Sequence, residues 1–196
     1  MAGTKGSGAY AIAAVPLLII GSLLGFLVVG GDDCGAEAGG GSSVSIDPGS
    51  VPQTEIAGYG HEQLVNAAYV MQAGKDLGLN VRDQTIGVMT AMGESSLRNI
   101  DYGDWETRGW TNPDGSRTTS IGLFQQQDWW GSAEQRMDPA TAARLFFERL
   151  GRVPDWQSMT PSHAIHRVQV NADRDYYTRY QEDAAAVVDV LSGPCE

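Results

Sequence analysis

The sequence predicts one mainly α-helical domain with a small β element, an α+β fold, preceded by a single transmembrane helix. Residues 9–29 are apolar and uncharged, and residues 30–58 are rich in Gly, Ser and Pro. From residue 59 onward, apolar side chains recur at helical spacing. The chain has 196 residues, of which 42% are hydrophobic, so it has room for one domain of ordinary size with a substantial core.

The apolar segment has the length of a membrane crossing, because residues 9–29 would span about 31 Å as a helix. Lys5 precedes the segment, and Asp32 and Asp33 follow it. This charge asymmetry predicts a cytoplasmic N-terminus over residues 1–8 and an extracytoplasmic C-terminal domain in a single-pass protein of the cell membrane. The alternative is a cleaved signal peptide, which would leave the domain secreted.

Residues 30–58 are expected to form a flexible tether. The segment has almost no large apolar side chain, so burial cannot offset the entropy lost on ordering. The composition changes at Tyr59, which we take as the start of the folded domain, residues 59–196.

Two cysteines, Cys34 and Cys195, lie near opposite ends of the part expected outside the membrane. Their positions do not match any metal-ligand spacing. They are candidates for a disulfide in an oxidising compartment, and the alternative is two unpaired thiols.

The charge balance argues against nucleic acid as a ligand. The chain carries 13 Lys and Arg residues against 24 Asp and Glu residues, a formal net charge of −11. A surface with this excess repels phosphate backbones, so we expect no nucleic-acid partner.

Helical periodicity begins directly after the boundary. Residues 62–77 form the first predicted helix, and Gly78 is its stop signal. Asp83 is the expected cap of a second helix that runs to about Glu94. The small and apolar face of that helix comprises Ile86, Met89, Ala91 and Gly93.

The middle of the domain is less regular. Residues 99–119 are expected to form a loop with a short β-hairpin at the turn sequence Asn-Pro-Asp-Gly of residues 112–115. Asp138-Pro139 and Thr160-Pro161 are cap and first-turn signals for two further helices. The first of these carries a core face of Ala143, Phe146, Phe147 and Leu150, and the second carries Ile165 and Val168. A last helix is expected from about Asp175 to Gly193.

Two short segments carry the candidate chemistry. Residues 91–99 read Ala-Met-Gly-Glu-Ser-Ser-Leu-Arg-Asn, and residues 120–126 read Ser-Ile-Gly-Leu-Phe-Gln-Gln. A helix ending in Glu-Ser-Ser, followed later by Gly-Leu-Phe-Gln, resembles the lysozyme-like superfamily, in its lytic transglycosylase and goose-type lysozyme branch. The resemblance covers roughly residues 64–180 and implies a lysozyme-like fold in a small, membrane-anchored wall-lytic enzyme of the actinobacterial type.

The resemblance assigns roles to individual residues. Glu94 matches the catalytic acid of the family, and Ser95 matches the residue that follows it. The segment that lines the sugar cleft matches Gly122, Leu123, Phe124 and Gln125, with Phe in place of the commoner Met. Ser95 and Ser120 are added to these as candidates for substrate binding. The Ala-Tyr-Asn-x-Gly motif of the superfamily is absent, and the late tyrosines Tyr176, Tyr177 and Tyr180 receive no role.

The residue types agree with glycoside chemistry. Cleavage of a glycosidic bond needs a carboxylic acid that stays protonated near neutral pH, and an apolar setting around Glu94 would keep it so. Glycosidases usually add a second carboxylate, for which Asp101 and Asp104 are the candidates. The alternative for Glu94 is a structural glutamate paired with Arg98.

Aromatic and histidine residues give weaker signals. Trp129 is a candidate for stacking on a sugar ring, and packing in the core or a loop is the alternative. His163 and His166 lie three residues apart without an evident third ligand, so we expect no metal site. No cofactor is expected either.

The leading expectation is a lytic transglycosylase or muramidase that cleaves the MurNAc-β-1,4-GlcNAc bond of peptidoglycan. Its expected partners are the glycan strands, the cell membrane through the anchor, and a conjugation or secretion machine for which it opens the wall locally. Two alternatives remain. One is a non-catalytic envelope module that binds glycan or a partner protein, and the other is a chitinase-like hydrolase of other GlcNAc polymers.

Overall fold

A computed structural model describes residues 48–169 and 171–193. The transmembrane segment 9–29, most of the tether, and Cys34 and Cys195 lie outside the described residues. Within the described part of the chain, no helix has the length and apolar character needed to cross a membrane.

The described part is mainly helical, in agreement with the sequence. Its α-helices are α1 His61–Asp76, α2 Val81–Ser95, α3 Asp104–Arg108, α4 Ala133–Met137, α5 Pro139–Leu150, α6 Pro161–His166 and α7 Gln181–Ser192. Short 3-10 helices cover Pro48–Ser50, Asp128–Trp130, Trp156–Ser158 and Tyr176–Tyr180.

Helix α2 is central to the fold. It packs against α1, α5, α6 and α7, and against the 3-10 helix Tyr176–Tyr180. Its side chains Ile86, Val88, Met89 and Ala91 are fully buried, so the helix is surrounded by neighbours over most of its length. This packing fixes the position of its C-terminal turn, where Glu94 lies.

Helix α5 confirms the pattern of the sequence. The Asp138 side chain accepts a hydrogen bond from Thr141 N at 2.8 Å, and Pro139 occupies the first turn. The four apolar side chains expected in the core, Ala143, Phe146, Phe147 and Leu150, are all buried.

The start of α2 differs from the expectation. Asn80 is the N-cap, and its side chain accepts from Asp83 N at 3.0 Å. Asp83 lies inside the first turn, is buried, and accepts a hydrogen bond from Gln157 Nε2 at 2.8 Å. An amide oxygen one turn earlier therefore does the capping, while the carboxylate joins α2 to the 3-10 helix Trp156–Ser158.

The expected β-hairpin is reduced to a turn. Thr111 and Arg117 form an isolated antiparallel bridge around residues 112–116, and the described residues contain no strand. Asn112 N donates to Ser116 O at 2.8 Å, and this backbone hydrogen bond closes the turn.

The folded unit also begins earlier than Tyr59. Val51 is 5% exposed and belongs to the core, and Ile56 pairs with Tyr59 in an isolated antiparallel bridge. The 3-10 helix Pro48–Ser50 packs against α1. Residues 51–58 of the expected tether are therefore part of the domain, because a single buried valine and a short turn attach them.

Candidate active site

Glu94 lies in the last turn of α2, and the chain leaves the helix abruptly behind it. Ser96 and Leu97 both adopt left-handed backbone conformations, with φ of 55° and 59°. Leu97 N donates to Ala91 O at 3.1 Å, and the Leu97 side chain is fully buried. This reversal turns the chain back into the core and leaves Glu94 half-buried at the wall of a cleft.

The two sequence motifs meet through Ser95. Its hydroxyl lies 2.8 Å from Leu123 O and 3.2 Å from Ala91 O, and both carbonyls are acceptors. Ser95 therefore joins the end of α2 to the Gly-Leu-Phe-Gln segment, and its hydroxyl is engaged within the protein rather than directed at the cleft.

The second motif is a tight turn closed by the Ile121–Gln126 bridge. Gly122 has φ of +77°, and its N–H donates to Ile100 O at 2.6 Å. A Cβ at Gly122 would run into the carbonyl oxygen of Arg136, so only glycine fits. Some side chains of this turn are therefore placed in the core, and others border the cleft.

Some of the residues expected at the cleft lie in the core, and others line the cleft. Leu123 and Phe124 are fully buried, and the Phe124 ring stacks on Phe146 with centroids 5.2 Å apart. Ser95, Gly122, Leu123 and Phe124 do not line the cleft, whereas Ser120, Gln125 and Trp129 do. Leu123 and Phe124 anchor the turn in the core, and the polar side chains of Ser120 and Gln125 border the open space.

The cleft is open and has a volume of about 920 Å³. Its charged side chains are Glu94, Asp104, Arg108 and Arg149. The other side chains that line it include Trp110, Ser120, Gln125, Gln127, Trp129, Trp130, Gln169, Asn171, Tyr176 and Tyr177. A mixture of aromatic rings and amides around the carboxyls of Glu94 and Asp104 suits a polar ligand with flat faces, such as a sugar chain.

Burial raises the pKa of Glu94 to about 7. Removal of the carboxyl from water is the main cause, and the negative charge of Asp104 adds to it. A hydrogen bond from the Tyr177 hydroxyl to Glu94 Oε1 acts in the opposite direction. Glu94 forms no ion pair with Arg98 or any other described residue, so the alternative of a structural ion pair with Arg98 is not observed.

Of the two candidate second carboxylates, the structure brings one to the cleft. Asp104 begins α3 and lines the cleft with Glu94. Asp101 is exposed and is not part of the cleft lining. Only Asp104 is therefore placed to act on a ligand held at Glu94.

Three tyrosines behind Glu94 form a group that the sequence did not assign. Tyr177 is 1% exposed, and desolvation together with the nearby Glu94 raises its pKa, so its hydroxyl keeps its proton and remains a donor. The Tyr176 hydroxyl donates to Gly93 O at 3.2 Å and lies 3.4 Å from the Tyr180 hydroxyl. A Cβ at Gly93 would approach Tyr177 Cδ1 to 2.6 Å, so the glycine before Glu94 allows this ring to reach the carboxyl.

The cleft has a second set of unassigned contacts on its far wall. Gln169 Nε2 donates to Phe124 O at 3.0 Å, which ties the segment after α6 to the second motif. Arg149 lies over Trp130, with its guanidinium carbon 3.5 Å from the ring centroid, and donates to Trp129 O at 3.2 Å. These contacts fix the tryptophan pair, and Trp129 itself remains 62% exposed.

The histidines of α6 take separate partners. His163 Nε2 lies 2.7 Å from Asp175 Oδ1, and His166 Nδ1 lies 3.1 Å from Asn171 Oδ1. Among the residues that the structure describes, no three or more His, Cys, Asp or Glu side chains are grouped so as to hold a metal ion.

The raised pKa of Glu94 predicts a pH-dependent cost to stability. Between pH 4.5 and about 7 the folded state retains a proton that the unfolded state has lost, so stability falls as pH rises through this interval. We expect Glu94→Gln to be about 1–3 kcal/mol more stable than the wild type at pH 8, and similar to it at pH 4. Urea unfolding of both proteins at the two pH values measures this. If the difference in free energy of unfolding between Glu94→Gln and the wild type is the same at pH 4 and pH 8, the carboxyl is not buried in its protonated form. Glu62→Gln, on the exposed start of α1, is the control.

The arrangement has a definite chemical capacity. A carboxyl that is protonated near neutral pH, held by a tyrosine and open to a cleft, can donate a proton to a bound ligand and later accept one. No protein-family model matches the chain, and no curated protein matches its sequence.

Proposed function

We propose that the protein cleaves the glycan strands of peptidoglycan at the MurNAc-β-1,4-GlcNAc bond, with Glu94 as general acid and base. The observation that carries the proposal is the half-buried Glu94 with a pKa of about 7 at the wall of an open cleft. Such a carboxyl is a proton donor that remains competent at neutral pH.

The contact between the two motifs supports the same conclusion. The Ser95 hydroxyl bonds to Leu123 O across 28 residues of sequence, so the segments that resemble the lysozyme-like superfamily are also adjacent in space. Gln125 then borders the cleft that contains Glu94, and its Nε2 is held by the carbonyls of Tyr102 at 3.3 Å and Gly122 at 3.2 Å. We therefore propose that the domain has a lysozyme-like fold with its glycan site in this cleft.

In the proposed reaction, Glu94 protonates the glycosidic oxygen as the bond breaks. The Tyr177 hydroxyl holds Oε1, so Oε2 is the oxygen that we assign to the proton transfer. The resulting carboxylate then removes a proton from the attacking hydroxyl. If this is the 6-hydroxyl of the same muramic acid, the product is a 1,6-anhydro sugar. If it is water, the product has a reducing end, and Asp104 is the carboxylate that would assist.

The proposed setting is the outer side of the cell membrane. Residues 9–29 would anchor the protein, and the segment between anchor and domain would limit its reach to the adjacent wall. Local opening of the wall for a conjugation or secretion machine is the use that we propose for a small tethered enzyme of this kind.

Product analysis tests the proposal. The full-length chain in detergent is incubated with purified peptidoglycan, and the soluble products are identified by mass spectrometry. We expect anhydro-muropeptides, which are the products of the lytic transglycosylases that the two motifs resemble. Asp104→Asn is expected to retain the product type, with the alkaline limb of the pH profile moved to lower pH, because the Asp104 charge helps to raise the pKa of Glu94.

Asp101→Asn is the matched control, since Asp101 is exposed and outside the cleft lining. Reducing-end products, with a loss of activity in Asp104→Asn of about 10²-fold or more, would instead make the enzyme a hydrolase. Cleavage of chitin oligosaccharides but not of peptidoglycan would indicate the chitinase-like alternative. Absence of any product, together with retained binding to the wall, would favour a binding module.

A further inference from the structure

A second groove lies next to the proposed glycan cleft. It has a volume of about 640 Å³ and shares one residue, Trp129, with the cleft. The side chains that line it include Asn112, Asp114, Ser116, Arg117, Asp128 and Trp129. One wall is the turn of residues 112–117, and the other is the 3-10 helix Asp128–Trp130. We call this space the side groove.

The walls of the side groove are ordered although they are exposed. The Ser116 hydroxyl donates to Asp114 Oδ1 at 2.7 Å, and Asn112 Nδ2 donates to the Ser116 hydroxyl oxygen at 3.0 Å. On the other side, Asp128 N donates to Thr119 Oγ1 at 2.9 Å. The bonds of Ser116 hold the turn in shape, and the bond from Asp128 joins the 3-10 helix to Thr119, so binding there would cost little additional ordering.

The side groove carries charged side chains of both signs. Glu106, outside the groove, interacts electrostatically with Arg117. Arg117, Asp114 and Asp128 form no ion pair with any described residue. The Arg117 guanidinium lies over the Trp105 ring, 4.5 Å from its centroid, which holds its planar donors in place. Hydrogen bonds from Ser116 lower the pKa of Asp114, so its carboxylate remains ionised at neutral pH.

This charge pattern does not match a further sugar of the glycan strand. Amino sugars in the strand are N-acetylated and uncharged, so fixed charges of both signs gain little from them. The peptide that branches from the lactyl group of muramic acid carries free carboxylates and, at its diamino acid, an ammonium group. An arginine that offers two parallel N–H groups suits a carboxylate, and two aspartates suit an ammonium.

We propose that the side groove binds the stem peptide of peptidoglycan, with a carboxylate of the peptide on Arg117 and its ammonium group between Asp114 and Asp128. The proposal rests on the proposed function, because it takes the glycan strand to lie in the cleft. Trp129 is the boundary at which the peptide branch leaves the strand. The protein would thus select strands that carry peptides over strands that have been stripped of them.

Two glycan substrates test the proposal. One is soluble peptidoglycan with its stem peptides, and the other is the same material after an amidase has removed them. For the full-length protein we expect Arg117→Gln and Asp128→Asn to raise KM about tenfold on the peptide-bearing strands, the loss of about one charge-assisted contact, with kcat unchanged. On stripped strands Asp128→Asn should match the wild type, because the free lactyl carboxylate that the amidase leaves offers Asp128 no ammonium group.

Arg144→Gln is the matched control, because Arg144 is an exposed arginine of α5 that lines neither cavity. Equal KM values for wild type and both variants on both substrates would overturn the proposal while leaving cleavage itself intact.

A direct titration separates binding of the peptide in the side groove from cleavage of the glycan in the cleft. Free stem tetrapeptide is added to the full-length protein and followed by tryptophan fluorescence or calorimetry. Binding that weakens in Arg117→Gln supports the side groove even if neither glycan is cleaved, and no binding to the wild type overturns it.

Discussion

Glu94→Gln is expected to lower the rate of peptidoglycan cleavage by about 10²- to 10⁴-fold. The amide has the size of the carboxyl and can still accept the hydrogen bond from Tyr177, so the turn at the end of α2 should be retained. It cannot give up a proton to the glycosidic oxygen, so the step that depends on an acid is lost. The release of soluble muropeptides at pH 6 to 7, measured for equal amounts of folded protein, gives the ratio of rates.

The control for this variant must separate chemistry from folding. Glu62→Gln removes a carboxylate on the exposed first turn of α1, outside the cleft, and should retain the full rate. Far-UV circular dichroism and binding to the wall should be the same for all three proteins. Full activity of Glu94→Gln would rule out Glu94 as the acid and would favour a different residue of the cleft, with Asp104 the first to test.

The helices could be predicted because their signals are local. In α5, a capping aspartate, a proline in the first turn and four apolar residues at helical spacing lie within 13 residues of sequence, and each has the expected position. The position of Glu94 at the end of α2 follows from the same kind of pattern. These elements depend on neighbours along the chain, so a single sequence is sufficient to find them.

The remainder of the site depends on contacts between distant residues. Tyr177 reaches Glu94 across 83 positions, and nothing in the spacing of the late tyrosines indicates which of them turns inward. The left-handed conformations of Ser96 and Leu97 are equally hidden, because neither residue type favours them. The one feature of the sequence that indicates a close contact here is Gly93, directly before Glu94. Because glycine has no side chain, the Tyr177 ring can approach the backbone at this position.

The fate of the second motif shows why a resemblance alone does not identify the residues that touch a ligand. Four of the residues first placed at the sugar cleft do not line it: Gly122, Leu123 and Phe124 build the turn that supports it, and Ser95 joins that turn to the end of α2. A short motif marks a piece of backbone with a required shape, and only some of its side chains need to face the open space. The structure assigns that distinction through burial and hydrogen bonds.

Gly122→Ala is expected to destabilise the domain by about 2–5 kcal/mol. Two effects add. A left-handed φ of +77° is unfavourable for alanine, and the new methyl group would collide with the Arg136 carbonyl oxygen, which belongs to rigid backbone rather than to a movable side chain. The melting temperature should fall by roughly 10 °C, measured by thermal unfolding followed by circular dichroism.

Gly115→Ala isolates the backbone strain from the steric part of this effect. Gly115 has φ of +84°, close to that of Gly122, but a Cβ there would meet no atom within 4 Å. Only the backbone strain applies, so the expected cost is about 1 kcal/mol. Equal destabilisation by the two variants would mean that the turn shifts away from Arg136 without difficulty. A large excess for Gly122→Ala would instead show that the glycine of the second motif is required by close packing, which is the reason that this turn can hold Ser95 on one side and direct Gln125 into the cleft on the other.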